Sequence, residues 1–295
     1  MSMAWMKMVT GRSRKDAHRG KRIGLALGGG GVRGLAHLHA FCVFDELGIK
    51  PHCIAGTSIG AVFGALYAGG FTGQKIKDLV EQLLLQKNGT FADLLNRDVK
   101  KWFELLDPAF SRSAILKGDK IVNFIAESLQ CTQFEELKIP LSVATTDFWR
   151  GEEVVLDSGD LLSAIRASMA VPAVFMPVER EGRILVDGGL VNPLPCSLVR
   201  ERCDVVVAVD VSGELKQKGK RPDFMGAILG SFDIVQKSLI AEQVIDHPPD
   251  ILLRPDIHGV RMLDFNKSAQ VYEDSESIKQ QLRDELRALG VGGEP

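Results

Sequence analysis

No uninterrupted apolar stretch approaches the roughly 18 residues that would suggest a membrane-spanning helix. Neither sign of charge is in excess. Lys and Arg total 36 against 38 Asp and Glu, and a formal charge of −2 gives no whole-chain reason to expect a nucleic-acid partner. Cysteine is sparse and unpatterned: Cys42, Cys53, Cys131, Cys196 and Cys203 are odd in number, widely spaced and without a CxxC pair. Two of them sit inside apolar runs, as buried free thiols do. This argues against a disulfide framework or a zinc site and for a reducing, cytoplasmic setting, with no metal and no cofactor expected. Internal repeats and low-complexity linkers are also missing, so the 295 residues read as one large domain.

The first 22 residues are basic, with Lys7, Arg12, Arg14, Lys15, Arg19, Lys21 and Arg22 against the single acid Asp16. Their apolar part is too short for a secretory signal. Residues 1–22 read as a flexible tail. The competing reading is peripheral docking to an anionic membrane face through Met3, Trp5, Met6 and Met8. The rest, 23–295, divides into a motif-bearing core over 23–211 and a helical part over 212–295.

Strand and helix patterns alternate. Ile23 to Leu27 is a short apolar run ending in glycines, followed by a helix from about Leu35 to Leu47 that closes at Gly48. Cys53 to Ala55 reads as the next strand and Ile59 to Tyr67 as its helix. Helices are expected over Ile76–Gln86, Lys120–Leu129, Leu161–Ala167, Phe224–Ile245 and Ala269–Leu289. Strands are expected over Ile139–Thr145, Glu153–Leu156, Ile184–Val186, Val205–Val211 and Ile251–Leu253. Repetition of strand, turn and helix implies an α/β fold around a parallel sheet. Residues 91–117 are a candidate inserted cap, in which Trp102, Phe103, Leu105, Leu106 and Phe110 form an apolar group.

Two glycine-rich segments each follow a strand: GGGGVRG from Gly28 to Gly34, and GTSIG from Gly56 to Gly60. In a strand-to-helix elbow a nucleophile adopts a strained conformation, and Gly56 and Gly60 supply the small flanks that Ser58 would need. The N–H of Ile59 would face a developing oxyanion, aided by the helix dipole. Gly29, Gly31 and Gly34 also satisfy a dinucleotide fingerprint, but no acid ends the next strand, and no GK[ST] follows for a phosphate loop. The glycines fit better as an oxyanion loop of N–H groups from Gly29, Gly30 and Gly31. Arg33 either holds that loop or meets an anionic head group.

A serine hydroxyl needs a base. His258 is the only reasonable triad histidine beyond the third segment, VDGGLVNPLP, whose Asp187 ends a strand before Gly188 and Gly189. His37 and His39, two apart on one helix, read as structural or surface residues. In a dyad the candidate carboxylates are Asp187, Asp147 and Asp210, and partial burial would raise such a pKa toward neutrality. Val171 to Pro177 is a candidate wall for an acyl chain, or an ordinary core segment.

GGGGVRG, GTSIG and DGG in this order, with the ASMAVP block at Ala167–Pro172, resemble the signature of the patatin-like phospholipase family, near bacterial members of the neuropathy target esterase branch. The likeness runs from about residue 23 to 211. It implies a three-layer α/β sandwich with a mostly parallel central sheet, Ser58 as nucleophile and Asp187 as acid/base. It also implies an oxyanion loop at Gly29, Gly30, Gly31 and nearby, and hydrolysis of fatty acyl esters in phospholipids, lysophospholipids or simpler lipids without a metal. Acyl transfer to an alcohol, and a non-catalytic lipid-binding role on the same fold, stay open as alternatives. Oligomeric state is not legible in the sequence.

Overall fold

A computed structural model describes residues 20–85, 125–129, 131–213, 221–222 and 224–291. Residues 1–19 of the basic segment and the candidate cap over 91–117 lie outside the described residues, as does its apolar group from Trp102 to Phe110.

Among the described residues eight strands form one sheet: β1 (Ile23–Leu27), β2 (Cys53–Thr57), β3 (Leu141–Asp147), β4 (Glu152–Leu156), β5 (Val178–Arg180), β6 (Arg183–Asp187), β7 (Val205–Val209) and β8 (Ile251–Leu253). The helices bounded within the described residues are α1 (His37–Glu46), α2 (Ile59–Ala68), α3 (Gly73–Leu85), α4 (Leu161–Ser168), α5 (Ser197–Arg200), α6 (Phe224–Asp246), α7 (Ser268–Asp274) and α8 (Ile278–Ala288), and residues 125–129 are helical as well. Strands β3, β2, β1, β7 and β8 lie side by side, all parallel. β4 and β6 pair with β3 antiparallel, and β5 pairs with β6 antiparallel.

Side chains alternate between the two faces of a strand, and the central strands bury both. Ile23, Leu25 and Leu27 of β1, Ile54 of β2 and Val205, Val207 and Val209 of β7 face one core, shared with Phe41, Phe44 and Phe63 of α1 and α2. Ala26, Cys53, Ala55, Val206 and Ala208 face a second core, shared with Val199 of α5 and Ile240 of α6. Helices therefore cover the mostly parallel sheet on both sides, and the near-continuous apolar runs of its strands follow from that.

Several boundaries differ from the sequence expectations for local reasons. The helix expected from Leu35 starts as a tight 3-10 helix over Gly31–Ala36 before α1 takes over. Val32 N–H there donates to Met262 C=O at 2.9 Å, so the first turn is anchored to another segment. β3 reaches Asp147, beyond the expected Thr145, because its last residues pair on both edges. β5, three residues long, carries too little pattern to be read alone. The single helix expected over Ala269–Leu289 is two, α7 and α8. Ser275 separates them, its hydroxyl donating back to Val271 C=O at 2.7 Å, a local bond that competes with helix continuation.

Gly24 lets the second face close tightly: a β-carbon there would lie 2.8 Å from Cys203 Sγ and 2.9 Å from Val199 Cβ. Gly24→Ala is expected to destabilise the fold by about 1–3 kcal/mol, the usual range for overpacking. Adding Cys203→Ala should recover part of that loss. Chemical denaturation of the two variants checks it, and an undiminished loss in the double variant would show that Cys203 is not what resists the methyl.

Candidate active site

Ser58 sits between β2 and α2 with φ 54° and ψ −121°, one of three non-glycine residues with positive φ among the described residues. Such a conformation costs on the order of 1–3 kcal/mol and persists only where its surroundings enforce it. The enforcement is visible. A β-carbon on Gly60 would collide with the Leu27 carbonyl, and one on Gly56 would press on the Gly60–Ala61 backbone. Ser58 C=O accepts from Ala61 N–H at 2.9 Å, opening α2. Ser58 N–H donates to Ser168 Oγ at 2.8 Å, and the Ser168 hydroxyl donates to Ala144 C=O at 2.7 Å.

Asp187 reaches the elbow through the sheet. β4 occupies one edge of β3 over Val143–Asp147, so β2 and β6 must share the other edge. Thr57 pairs with Ala144 and Asp187 with the next residue, Thr145. β2 therefore ends where β6, running the opposite way, also ends. Ser58 follows the one and Asp187 terminates the other. The ASMAVP block braces both: Ser168 holds Ser58 N–H, and Ala170 C=O accepts from Asp187 N–H at 3.1 Å.

The Asp187 carboxyl is wholly buried. Gly189 N–H donates to Oδ1 at 2.7 Å, while Oδ2 has no hydrogen-bond partner of standard geometry among the described residues. Burial pushes its pKa up to about 7, and the nearby Ser58 hydroxyl and Gly189 N–H pull the other way. Ser58 is thus close enough to bias the carboxyl electrostatically, yet short of a well-formed hydrogen bond, as is common at such sites without substrate.

The glycine loop is fixed by its carbonyls. His37 Nε2 bonds Gly28 C=O at 2.9 Å, and burial lowers the His37 pKa to about 4, so the neutral ring donates through Nε2–H. Arg33, 1% exposed, donates from Nε to Gly30 C=O at 3.2 Å and pairs with buried Asp233 of α6 at 2.7 Å. Of the two roles open to Arg33, the geometry shows it holding the loop. In a trans peptide N–H and C=O point opposite ways, so anchoring the Gly30 carbonyl turns the Gly31 N–H away from Arg33. Gly31 itself has φ 60° and lies against the Met262 carbonyl, which leaves no room for a side chain. Gly29 N–H is engaged by Pro193 C=O at 3.0 Å. The N–H groups of Gly30, Gly31 and Ile59 make no bond among the described residues.

The rival acids are occupied elsewhere. Asp147 Oδ1 accepts from Trp149 and Arg150 N–H, both at 3.1 Å, closing the turn after β3. Asp210 accepts from Ser212 and from Arg254 Nε at 3.0 Å. His258 pairs with Asp256 and is 41% exposed; among the described residues it contacts neither Ser58 nor Asp187. His37 and His39 are buried rather than on the surface, the latter bonding Tyr272 C=O at 2.7 Å. Gly34 gives way to Ile59, and Gly188 lies against the Ala144 carbonyl. The described residues hold no cluster of three His, Cys, Asp or Glu fit for a metal ion, and no helix long and apolar enough to cross a membrane.

Two polar residues beside the site were not singled out in the sequence: Asp233 and Gln236, both buried on α6. Their only sequence signal is spacing, polar residues three apart on a helix otherwise rich in apolar ones.

The chain is similar to several known proteins. A lysophospholipase, nte1, of Neurospora crassa is 29% identical over 94% of this chain and 20% of its own length. An uncharacterized NTE family protein of Mycobacterium tuberculosis is 35% identical over 65% of this chain and 49% of the relative. The chain thus spans about half the length, or less, of these curated relatives. The crystal structure of VipD from Legionella pneumophila matches 90% of this chain and 67% of its own at 17% identity and a TM-score of 0.51, a likeness of fold. A family model described as patatin-like phospholipase matches residues 25–200, more than half the chain. The chain belongs to the patatin-like phospholipase family.

Proposed function

We propose that this chain is a serine lipid acyl hydrolase, a phospholipase, lysophospholipase or esterase, in which residues 23–295 act as one catalytic domain. Ser58 is the nucleophile, and Asp187 its base and later its acid. The observation that carries this reading is the strained Ser58 elbow ending one strand where buried Asp187 ends another on the same edge of β3.

In the proposed cycle Asp187 takes the Ser58 proton as the hydroxyl attacks the ester carbonyl. The N–H groups of Gly30, Gly31 and Ile59 stabilise the resulting oxyanion. Gly29, whose N–H is bonded to Pro193, supports the loop instead. The leaving alcohol departs with the proton, and water then cleaves the acyl-enzyme by the same route. A carboxylate is a weak base in water, but a pKa near 7 makes it a far better one at neutral pH.

A small apolar cluster is suited to the acyl chain. Val171 and Val174, from the segment expected to form its wall, pack with Phe232 of α6 and Met262, with Phe175 and Leu190 against them. Met262 also abuts Gly31 of the loop, and Ala170 next to Val171 holds Asp187. The lipid partner follows from the family. Peripheral contact with a membrane surface and a cytoplasmic setting are parts of the same reading.

Ser58→Ala and Asp187→Asn are each expected to lose activity on p-nitrophenyl acyl esters by about a thousandfold or more. Ser58→Ala should also lose fluorophosphonate labelling. A folded wild type that neither turns over nor labels would refute the assignment. Only ionised Asp187 can act as base, so wild-type kcat/KM should rise roughly tenfold per pH unit below the Asp187 pKa and level off above it.

The same pKa sets a stability expectation. Unfolded aspartate titrates near 3.9, so between about pH 4 and 7 the folded state holds the Asp187 proton more tightly. The contribution of this group to stability therefore falls as pH rises through that window. Asp187→Asn should melt above wild type at pH 8, with the difference shrinking toward pH 4.

Arg33→Lys keeps the charge but loses the planar fork that reaches both Gly30 C=O and Asp233. Turnover should fall about a hundredfold, the loss typical of one oxyanion donor, with little change in KM. Steady-state kinetics of the folded variant test this. Unchanged kcat would mean that the loop does not need Arg33 for its shape.

A further inference from the structure

Gln236 lies on α6 one turn beyond Asp233, the residue that anchors Arg33 and through it the glycine loop. It is 1% exposed, and neither its Nε2 nor its Oε1 has a hydrogen-bond partner among the described residues. Buried amides are almost always paired, and an exception calls for an explanation. Its surroundings supply one. A β-carbon on Gly29 would lie 3.4 Å from Gln236 Nε2 and 3.5 Å from Ser58 Cβ, so the amide and the nucleophile border the same small space. A β-carbon on Gly189 would meet both Gln236 Nε2 and Asp187 Oδ1. Glycine at both positions leaves the amide open to the reacting groups.

The same face of α6 continues with Ile240, buried in the second core, and Gln243, whose Nε2 donates to Val191 C=O at 2.9 Å. The helix is thus anchored on either side of Gln236, by Asp233 to Arg33 and by Gln243 to Val191, while Gln236 itself has no polar partner among the described residues. A carboxamide offers a donor and an acceptor about 2 Å apart, and the ligand that satisfies both is a hydroxyl oxygen, which accepts one hydrogen bond and donates another.

We propose that Gln236 forms a subsite for the hydroxyl oxygen that enters or leaves beside Asp187. This rests on the acyl-hydrolase reading and deepens it. One chemistry has two sources here, the alcohol leaving in acylation and the water attacking in deacylation. In deacylation the water oxygen bonds the acyl carbon and passes one proton to Asp187. Gln236 Oε1 accepts the second O–H, and Nε2–H donates to the oxygen. Collapse breaks the bond to Ser58 Oγ, which recovers the proton from Asp187 and releases the carboxylic acid. In acylation the leaving alkoxide occupies the same position and receives the proton that Asp187 took from Ser58.

The test is stopped-flow and steady-state kinetics of the full chain as wild type, Gln236→Met and Gln236→Asn, each checked for its fold by circular dichroism. Methionine keeps the length and removes both polar atoms, and asparagine withdraws them by one methylene. With p-nitrophenyl butyrate the leaving phenolate needs no proton, so acylation should be nearly unaffected and deacylation slowed. For Gln236→Met, kcat and KM should fall together by tenfold or more, kcat/KM should stay within about twofold, and a burst approaching one p-nitrophenol per active site should appear. Gln236→Asn should show the same split to a smaller extent. With a monoacylglycerol, whose alkoxide leaving group does need the subsite, kcat/KM should fall as well, which separates the alcohol arm from the water arm.

Equal loss of kcat and kcat/KM on the p-nitrophenyl ester would overturn the proposal and assign Gln236 to the shape of the Ser58–Asp187 pair. Unchanged kinetics on both substrates would also overturn it. Wild-type labelling and turnover report on the acyl-hydrolase reading independently of Gln236, so the two failures are distinguishable.

Discussion

A strand has two edges, and β3 divides one of them between two partners. β2 takes its first half in parallel, and β6 takes its second half from the opposite direction. Two strand ends therefore meet in mid-sheet at Ala144 and Thr145. Hydrogen-bond register, set along seven residues of β3, controls the separation of Ser58 and Asp187 far more tightly than two loops could. A slip of one residue would also turn Asp187 to the other face of the sheet. The residues around the junction are small or locked to backbone for the same reason. Thr57 donates to Asn192 C=O, Thr146 to Asp187 C=O, and Ser168 bridges Ser58 to Ala144.

Around that junction the chain places charge where burial alters its chemistry. Arg33 and Asp233 are both buried and pair with each other. Removing either would strand the other, which is far more costly than never having built the pair. Asp187 pairs with no cation among the described residues and takes up the cost of burial as a raised pKa. His37 does the reverse, burial making it a permanently neutral donor at neutral pH. Similar isolation from solvent thus yields a buried ion pair, a carboxyl with a raised pKa and a neutral clamp, depending on the partner each side chain finds.

The parts of this arrangement that were legible in the sequence are those governed by local sterics. The alternation of apolar runs and glycine turns gives the order of β1, α1, β2 and α2, and the small flanks of Ser58 follow from a crowded elbow. Choosing Asp187 over Asp147 and Asp210 was harder, because all three follow or end strands. Asp147 is engaged by Trp149 and Arg150 and Asp210 by Ser212 and Arg254, whereas Asp187 keeps one oxygen without a hydrogen-bond partner among the described residues. The engaged Gly29 N–H was hidden because its partner, Pro193, is distant in sequence. Asp233 and Gln236 are marked only by their spacing, which on a helix of mixed composition does not say which polar residues turn inward. Short β5 and the break at Ser275 depend on pairing and side-chain bonds that no hydrophobic period encodes.

The bond between Arg33 and Asp233 joins positions 200 residues apart. The family match ends at residue 200, and both Ser58 and Asp187 lie within it. During synthesis, then, Ser58 and Asp187 are both added to the chain before Asp233, the residue that pairs with Arg33 beside the glycine loop. Until then the Arg33 guanidinium lacks the buried carboxylate with which it pairs in the finished fold. On the proposed function, the loop that would receive the oxyanion takes its final shape only once α6 has joined the fold.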